Sequence, residues 1–178
     1  MFEEYLQDAD CFFTRAGEAA RSGNENDARS FYRASIFCAS SAIEAYVNYI
    51  GDSFAKAKTL PPHEIAFLND KAIYFSTDKG AAVEKSEFHK LDDKLRVLMR
   101  RFVADYDFNN TDWNGLMDFK KFRDSLVHPR QIEDETPLAD YRKKIQKGLG
   151  GIIGVMNSVS KGIYKKPLRR QLLDLIPE

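Results

Sequence analysis

Residues 27–58 read DARSFYRASIFCASSAIEAYVNYIGDSFAKAK. On a helical wheel Phe31, Ile36, Cys38, Ala42, Ile43, Ala45, Tyr46, Tyr49 and Ile50 cover well over half of the circumference. Only a narrow polar strip remains, holding Arg33, Ser40, Ser41, Glu44 and Asn48. A helix apolar over that much of its surface needs neighbours on several sides, so this stretch predicts the central helix of a bundle. Thr59-Leu60-Pro61-Pro62 ends it, because proline brings no amide hydrogen to the helical ladder.

Working outward, Phe2 to Ser22 reads as an amphipathic helix stopped by Ser22-Gly23-Asn24. A short helix is expected after Pro62, and a polar loop over Ser76 to Gly80. Helical periodicity returns from about Lys85 to Ala104, through Phe88, Leu91, Leu95, Leu98, Met99 and Phe102. After a loop from Asp105 to Thr111, Asp112 is placed to cap a helix running to Val127, which Pro129 should close. The last long helix is expected from Pro137 to Ile163, with a short tail helix after Pro167. No stretch alternates with period two between turn signals, so no sheet is expected. The predicted fold is all-α: an antiparallel helical bundle of four main helices with short additional helices, one domain over residues 1–178.

Composition agrees with a globular domain, at 43% hydrophobic and 30% charged residues. A chain of 178 residues can bury a core without disulfides or metal. Cys11 and Cys38 lie in apolar, helix-like surroundings and predict two buried free thiols. The acidic start, Met1-Phe2-Glu3-Glu4, is unlike a secretory leader, and the least polar stretch, Gly148 to Met156, is too short to span a bilayer. A cytoplasmic protein with no membrane partner is expected.

Charge is unevenly spread. From Tyr141 to Leu173 there is no acid, against Arg142, Lys143, Lys144, Lys147, Lys161, Lys165, Lys166, Arg169 and Arg170. Such a basic third suits a polyanion, or acidic surface on the same or a neighbouring protein.

Several apparent motifs fail on their chemistry. Asp105-x-Asp107-x-Asn109-Asn110 resembles the start of a calcium loop, but Asn110 stands where glycine is needed and Leu116 where a bidentate glutamate is needed. Gly148, Gly150, Gly151 and Gly154 miss the spacing of a dinucleotide cradle, and no strand precedes them. Gly150, Gly154 and Ser158 instead form a small-residue stripe for close helix packing. His63 and His89 are isolated and suit surface roles. No metal and no cofactor are expected.

One segment stands apart: Phe122-Arg123-Asp124-Ser125-Leu126-Val127-His128-Pro129-Arg130. On the wheel of residues 112–127 the apolar arc is made by Leu116, Phe119, Leu126 and Val127, with Trp113 at its edge, and Arg123 falls in its middle. A guanidinium on a core-facing stripe is costly unless it is paired or meets a partner chain. One reading pairs Arg123 structurally with Glu44 of the central helix. The other gives Arg123 and His128 a chemical task.

Arginine, a polar residue, three more residues and then His-Pro at the end of an amphipathic helix resembles the R-x4-6-H motif of the HEPN family. Ala42-Ile43-Glu44-Ala45-Tyr46-Val47-Asn48 also looks like the corresponding helix of several subfamilies. The resemblance covers roughly residues 27–160. It implies a homodimer that sets two such motifs beside one cleft. It also implies a metal-independent endoribonuclease, of the kind found in toxin-antitoxin and phage-defence systems, where a cognate antitoxin is a further partner. Other members have lost catalysis and bind RNA or nucleotides, and a helical protein-interaction module is the remaining alternative. Where one toxin subset carries a modifiable tyrosine two residues after the histidine, this chain has Arg130, so that control is not expected.

The chemistry is coherent. Metal-free RNA cleavage needs a base for the 2′-hydroxyl, an acid for the leaving oxygen and a cation at the phosphorane. Two His128 side chains, one from each subunit, would supply the proton transfers, and Arg123 the bidentate cation. Asp124, Glu44 and Asn48 are the supporting candidates, and Arg130, Arg142, Lys143, Lys144 and Lys147 are the candidate contacts to RNA phosphates. Five residues on an ideal helix place Arg123 and His128 about 140° apart. Convergence therefore requires the helix end to unwind or a second chain to close the site.

Overall fold

The computed structural model of the chain describes residues 1–128 and 136–175. α1 (Phe2–Arg21) and α2 (Glu25–Ala57) form the first hairpin. The Asn24 side chain accepts the Asp27 amide at 3.2 Å and starts α2, and its amide ties the turn to the Ala19 carbonyl at 3.0 Å. α2 buries Tyr32, Ile36, Ile43, Tyr46, Val47 and Ile50 almost completely, as its wheel predicts for a central helix. Tyr49 leaves that arc and is 54% exposed. Phe13 packs on Tyr32 and Phe2 on Tyr46, so the two helices run in opposite directions.

α5 (Thr111–Val127) and α6 (Leu138–Tyr164) form a second antiparallel hairpin, with Phe122 against Tyr141 at one end and Asp112 beside Gly154 at the other. Close approach demands glycine here. A Cβ on Gly151 would lie 2.5 Å from the Leu116 amide nitrogen, and one on Gly115 would lie 2.9 Å from the Lys147 carbonyl. The small residues that meet α5 are thus Gly148, Gly151 and Gly154, a different register from the expected stripe of Gly150, Gly154 and Ser158.

The two hairpins meet along α2 and α6. Tyr32 stacks on Tyr141, and the Tyr46 hydroxyl donates to the Met156 carbonyl at 2.9 Å. Both contacts advance together along the chain, so α2 and α6 are parallel. The contact of α2 with α6 thus departs from the antiparallel packing expected of the bundle. Burial pushes the Tyr46 phenol well above its ordinary range, as expected for a hydroxyl enclosed between two helices.

α4 (Leu91–Phe102) closes the core from a third side, stacking Phe102 on Phe54 and sending Phe102 and Val103 against Gly162. Its range corrects the sequence expectation. Residues from Lys85 to Lys90 are not helical, and Phe88 is 83% exposed rather than part of a buried stripe. Before α4, α3 (Pro62–Leu68) leads into β1 (Lys71–Ser76) and β2 (Ala81–Ser86), an antiparallel pair that contradicts the expectation of no sheet. Asp70 takes a left-handed conformation (φ 55°), which acidic residues tolerate better than most, and turns the chain into β1. His89, given a surface role from sequence, is partly exposed; its ring packs on Phe67 with centroids 4.1 Å apart and its backbone amide donates to Asp70.

α7 (Arg170–Leu173) follows a turn in which the Leu168 amide reaches Asn157, and Arg169 reaches back to Glu3 at 3.1 Å. Cys11 is exposed and Cys38 half-buried, so the expectation of two buried thiols fails for Cys11, which faces outward from α1. Among the described residues no helix is long and apolar enough to cross a membrane, and no cluster of His, Cys, Asp and Glu is arranged to hold a metal ion.

Candidate functional site

α5 begins at Asn110, whose side chain accepts the Trp113 amide at 2.8 Å. That cap fixes the register in which Trp113, Leu116, Phe119 and Phe122 enter the core. Val127, expected inside, is 39% exposed, and Phe122 takes the buried place that the wheel had shared among neighbours. Arg123 consequently lies at the margin of the buried face, with 25% of its side chain exposed.

Two carboxylates receive it. Arg123 Nη2 donates to Glu44 Oε1 at 3.0 Å, across the gap between α5 and α2, and Nη1 lies 3.1 Å from Asp124 Oδ1. The partner expected from sequence is therefore the partner found. The contact is open to solvent, however, since Glu44 keeps 50% and Asp124 45% of its side chain exposed. Arg123 Nε is buried and has no hydrogen-bond partner.

Helix α5 stops at Val127. His128 is the residue that follows, with φ −121° and ψ 66°, outside the helical region, and its amide donates to the Asp124 carbonyl at 3.0 Å. Unwinding at this residue releases its side chain from the helical spacing that would hold it about 140° from Arg123. His128 is exposed.

Asn48 is not brought to Arg123. It lines, together with Glu44, a groove of about 770 Å³ that also holds Phe2, Tyr5, Tyr49 and Asp52. Arg130 and Pro129 lie outside the described residues. The candidate phosphate contacts divide. Lys143, Lys144 and Lys147 share a groove of about 540 Å³ between α5 and α6. Arg142 instead lies near Tyr32, whose hydroxyl burial raises and the charge of Arg142 lowers.

That groove also contains Lys121, Ser125 and Phe122, which sequence reasoning passed over. Lys147 donates to Asp118 at 2.7 Å, and this bond, together with the charges of Lys147 and Lys121, holds the Asp118 carboxyl below its ordinary value. Lys144 lies over the Phe122 ring, 4.3 Å from its centroid. The signal that could have found Lys121 is its position on α5 opposite the lysines of α6, but it becomes visible only once the glycine contacts set the pairing of the two helices.

No protein-family model, no curated protein and no solved structure matches this chain.

Proposed function

We propose that this chain is a metal-independent endoribonuclease of the HEPN type, acting as a homodimer with Arg123 and His128 at its centre. On this reading the four longest helices, α1, α2, α5 and α6, are the bundle proper. The observation that carries it is the arrangement at the end of α5. An arginine held at an open surface by two exchangeable carboxylates precedes a histidine on which the helix has already unwound.

A guanidinium has five N–H donors, of which Glu44 takes one and Asp124 faces another. An incoming phosphate competes for the exposed Nη groups, and charge on the phosphorane strengthens that contact as the reaction proceeds. His128, free of a side-chain partner in the chain's own helix, serves as base or acid, and the second subunit's histidine takes the complementary role. The 2′-oxygen attacks phosphorus, the bond to the 5′-oxygen breaks, and one proton moves from attacking to leaving oxygen through the two imidazoles. The product ends are a 2′,3′-cyclic phosphate and a 5′-hydroxyl.

RNA cleavage in EDTA tests this directly, comparing the wild-type chain with His128→Ala at matched purity and confirmed folding. Cyclic phosphate ends from wild type alone are expected. Equal cleavage by both proteins would remove His128 from the reaction. Sedimentation of the wild-type chain measures the dimer.

A second reading rests on the same Glu44 contact. Taken as the resting partner of Arg123, Glu44 makes the ion pair structural and leaves a non-catalytic module that binds RNA or protein. Salt-sensitive RNA binding without cleavage by either variant is its expected result.

A further inference from the structure

α5 and α6 approach closely at Gly115 and Gly151, and a groove of about 540 Å³ follows the pair as far as Ser125, two residues past Arg123. Lysines stand on both walls, Lys121 on α5 and Lys143, Lys144 and Lys147 on α6. Asp118 neutralises Lys147. Lys121 and Lys143 have no ion pair among the described residues, and Lys144 rests on an aromatic face. Asp140 is the one remaining acid of the lining. Cations left in surplus along a concave surface focus a positive field there.

We infer that this groove seats consecutive phosphates of one RNA strand, on the stretch that flanks the bond held at Arg123 and His128. The inference depends on the endoribonuclease reading for the bond, and on the groove alone for the anion. Three features support a strand over a lone phosphate. The lysines face one another across the groove, Lys121 on α5 opposite Lys143, Lys144 and Lys147 on α6, so a strand laid along it meets cations from both walls. The lining runs from Gly115 to Ser125 of α5, about 15 Å of helix. Its end at Ser125 of α5 lies one turn before His128, so a bound strand reaches the candidate site by rounding the end of that helix, Arg123 itself facing α2. One strand rather than two is expected, because packed helix axes lie only about 8–10 Å apart, whereas an A-form duplex presents its phosphates across a wide minor groove.

The test measures affinity against salt concentration for a single-stranded 2′-O-methyl oligonucleotide, whose blocked 2′-oxygen cannot attack. Each single-strand phosphate contact contributes about 0.7 to the slope of log affinity against log salt. Lys121→Ala/Lys143→Ala/Lys144→Ala should therefore flatten the slope by about 2. Lys121→Ala/Lys143→Ala breaks no ion pair, should fold as wild type does, and should flatten it by about 1.4. A duplex of the same sequence should bind without this dependence on the lysines. Inorganic tripolyphosphate should compete only weakly. An unchanged slope in folded variants overturns the inference, as does equal lysine dependence for the duplex. Tight, lysine-dependent tripolyphosphate binding with strand affinity unaffected also overturns it, assigning the groove to a free polyphosphate. Lysine-dependent strand binding by a chain that does not cleave unmodified RNA would retain the groove and remove the catalytic reading. Cleavage with an unchanged slope would do the reverse.

Discussion

Lys94 and Arg123 both stand at the edge of the core, and each meets a carboxylate from a distant part of the chain. Lys94 is 5% exposed, and its Nζ donates to Asp70 Oδ2 at 2.7 Å. The other oxygen of Asp70 accepts the His89 amide at 2.9 Å. This pair closes the base of the β-hairpin onto α4. Arg123 keeps a quarter of its side chain in solvent, between two half-exposed carboxylates, with its Nε unmet. A basic residue on an apolar face is therefore not informative by itself. Enclosure with a satisfied partner indicates structure. A contact open to solvent leaves room for another anion to compete for the guanidinium.

The largest expected effect lies on the Arg123 side. His128→Ala should lower RNA cleavage about 10²–10⁴-fold, the usual contribution of a positioned proton-transfer group, and leave Tm nearly unchanged because the side chain is exposed. The same cleavage assay applied to Asp70→Ala should show no change in rate per folded molecule. A drop of equal size in both variants would erase the distinction between the two pairs.

Stability should respond in the opposite order. Asp70→Ala leaves the Lys94 ammonium enclosed without its carboxylate, a defect that costs about 3–5 kcal/mol for fully buried pairs. Because Asp70 is 42% exposed, a loss nearer about 2 kcal/mol is expected by denaturant unfolding. Lys94→Met combined with Asp70→Asn, which removes both charges of the pair together, should cost less than Asp70→Ala alone.

Acid sharpens the contrast. Burial alone would raise the Asp70 carboxyl, but the Lys94 hydrogen bond, the His89 amide and the Lys94 charge outweigh it and hold the group below its ordinary value. A carboxyl depressed in the folded state stabilises the fold above its unfolded pKa, about 3.9, and that contribution fades as pH falls through the lower folded value. Unfolding stability of wild type should thus fall more steeply below about pH 4 than that of Asp70→Asn. Parallel curves would show that Asp70 carries no such linkage.

The helices were legible because each buries a stripe, and a stripe leaves a period in the sequence. The hairpin was not, for the same reason in reverse. Ile73, Tyr74 and Phe75 are all exposed, so no face of β1 is buried and nothing imposes period-two alternation on it. The apolar Phe88, at helical spacing from Leu91 and Leu95, joins the periodicity of α4 and draws its predicted start too early. At the candidate site, Arg123 and Glu44 could be paired from sequence because Arg123 is the charge on its helix's apolar arc and Glu44 the acid on the narrow polar strip of the central helix. The lysine groove could not, since Lys121 and Lys143 become neighbours only through the glycine contacts of α5 with α6, which no single helix encodes.

The smallest effect belongs to Glu44→Gln, and it bears most closely on the comparison. Glutamine keeps an oxygen to accept from Arg123 Nη2 and removes one opposing charge. An exposed pair of this kind is worth about 0.2–1 kcal/mol, so denaturant unfolding should register a loss below about 1 kcal/mol. If Glu44 is the carboxylate that phosphate displaces, its neutralisation should also make RNA binding easier. A KM lowered a few-fold is expected, with kcat little changed, because the interaction lost opposes ground-state and transition-state binding alike. A destabilisation as large as that of Asp70→Ala, with KM unmoved, would put the Arg123 pair in the same class as the Lys94 pair. It would then be a closure between α2 and α5, and the apolar margin around it would be enough to explain why the arginine is there.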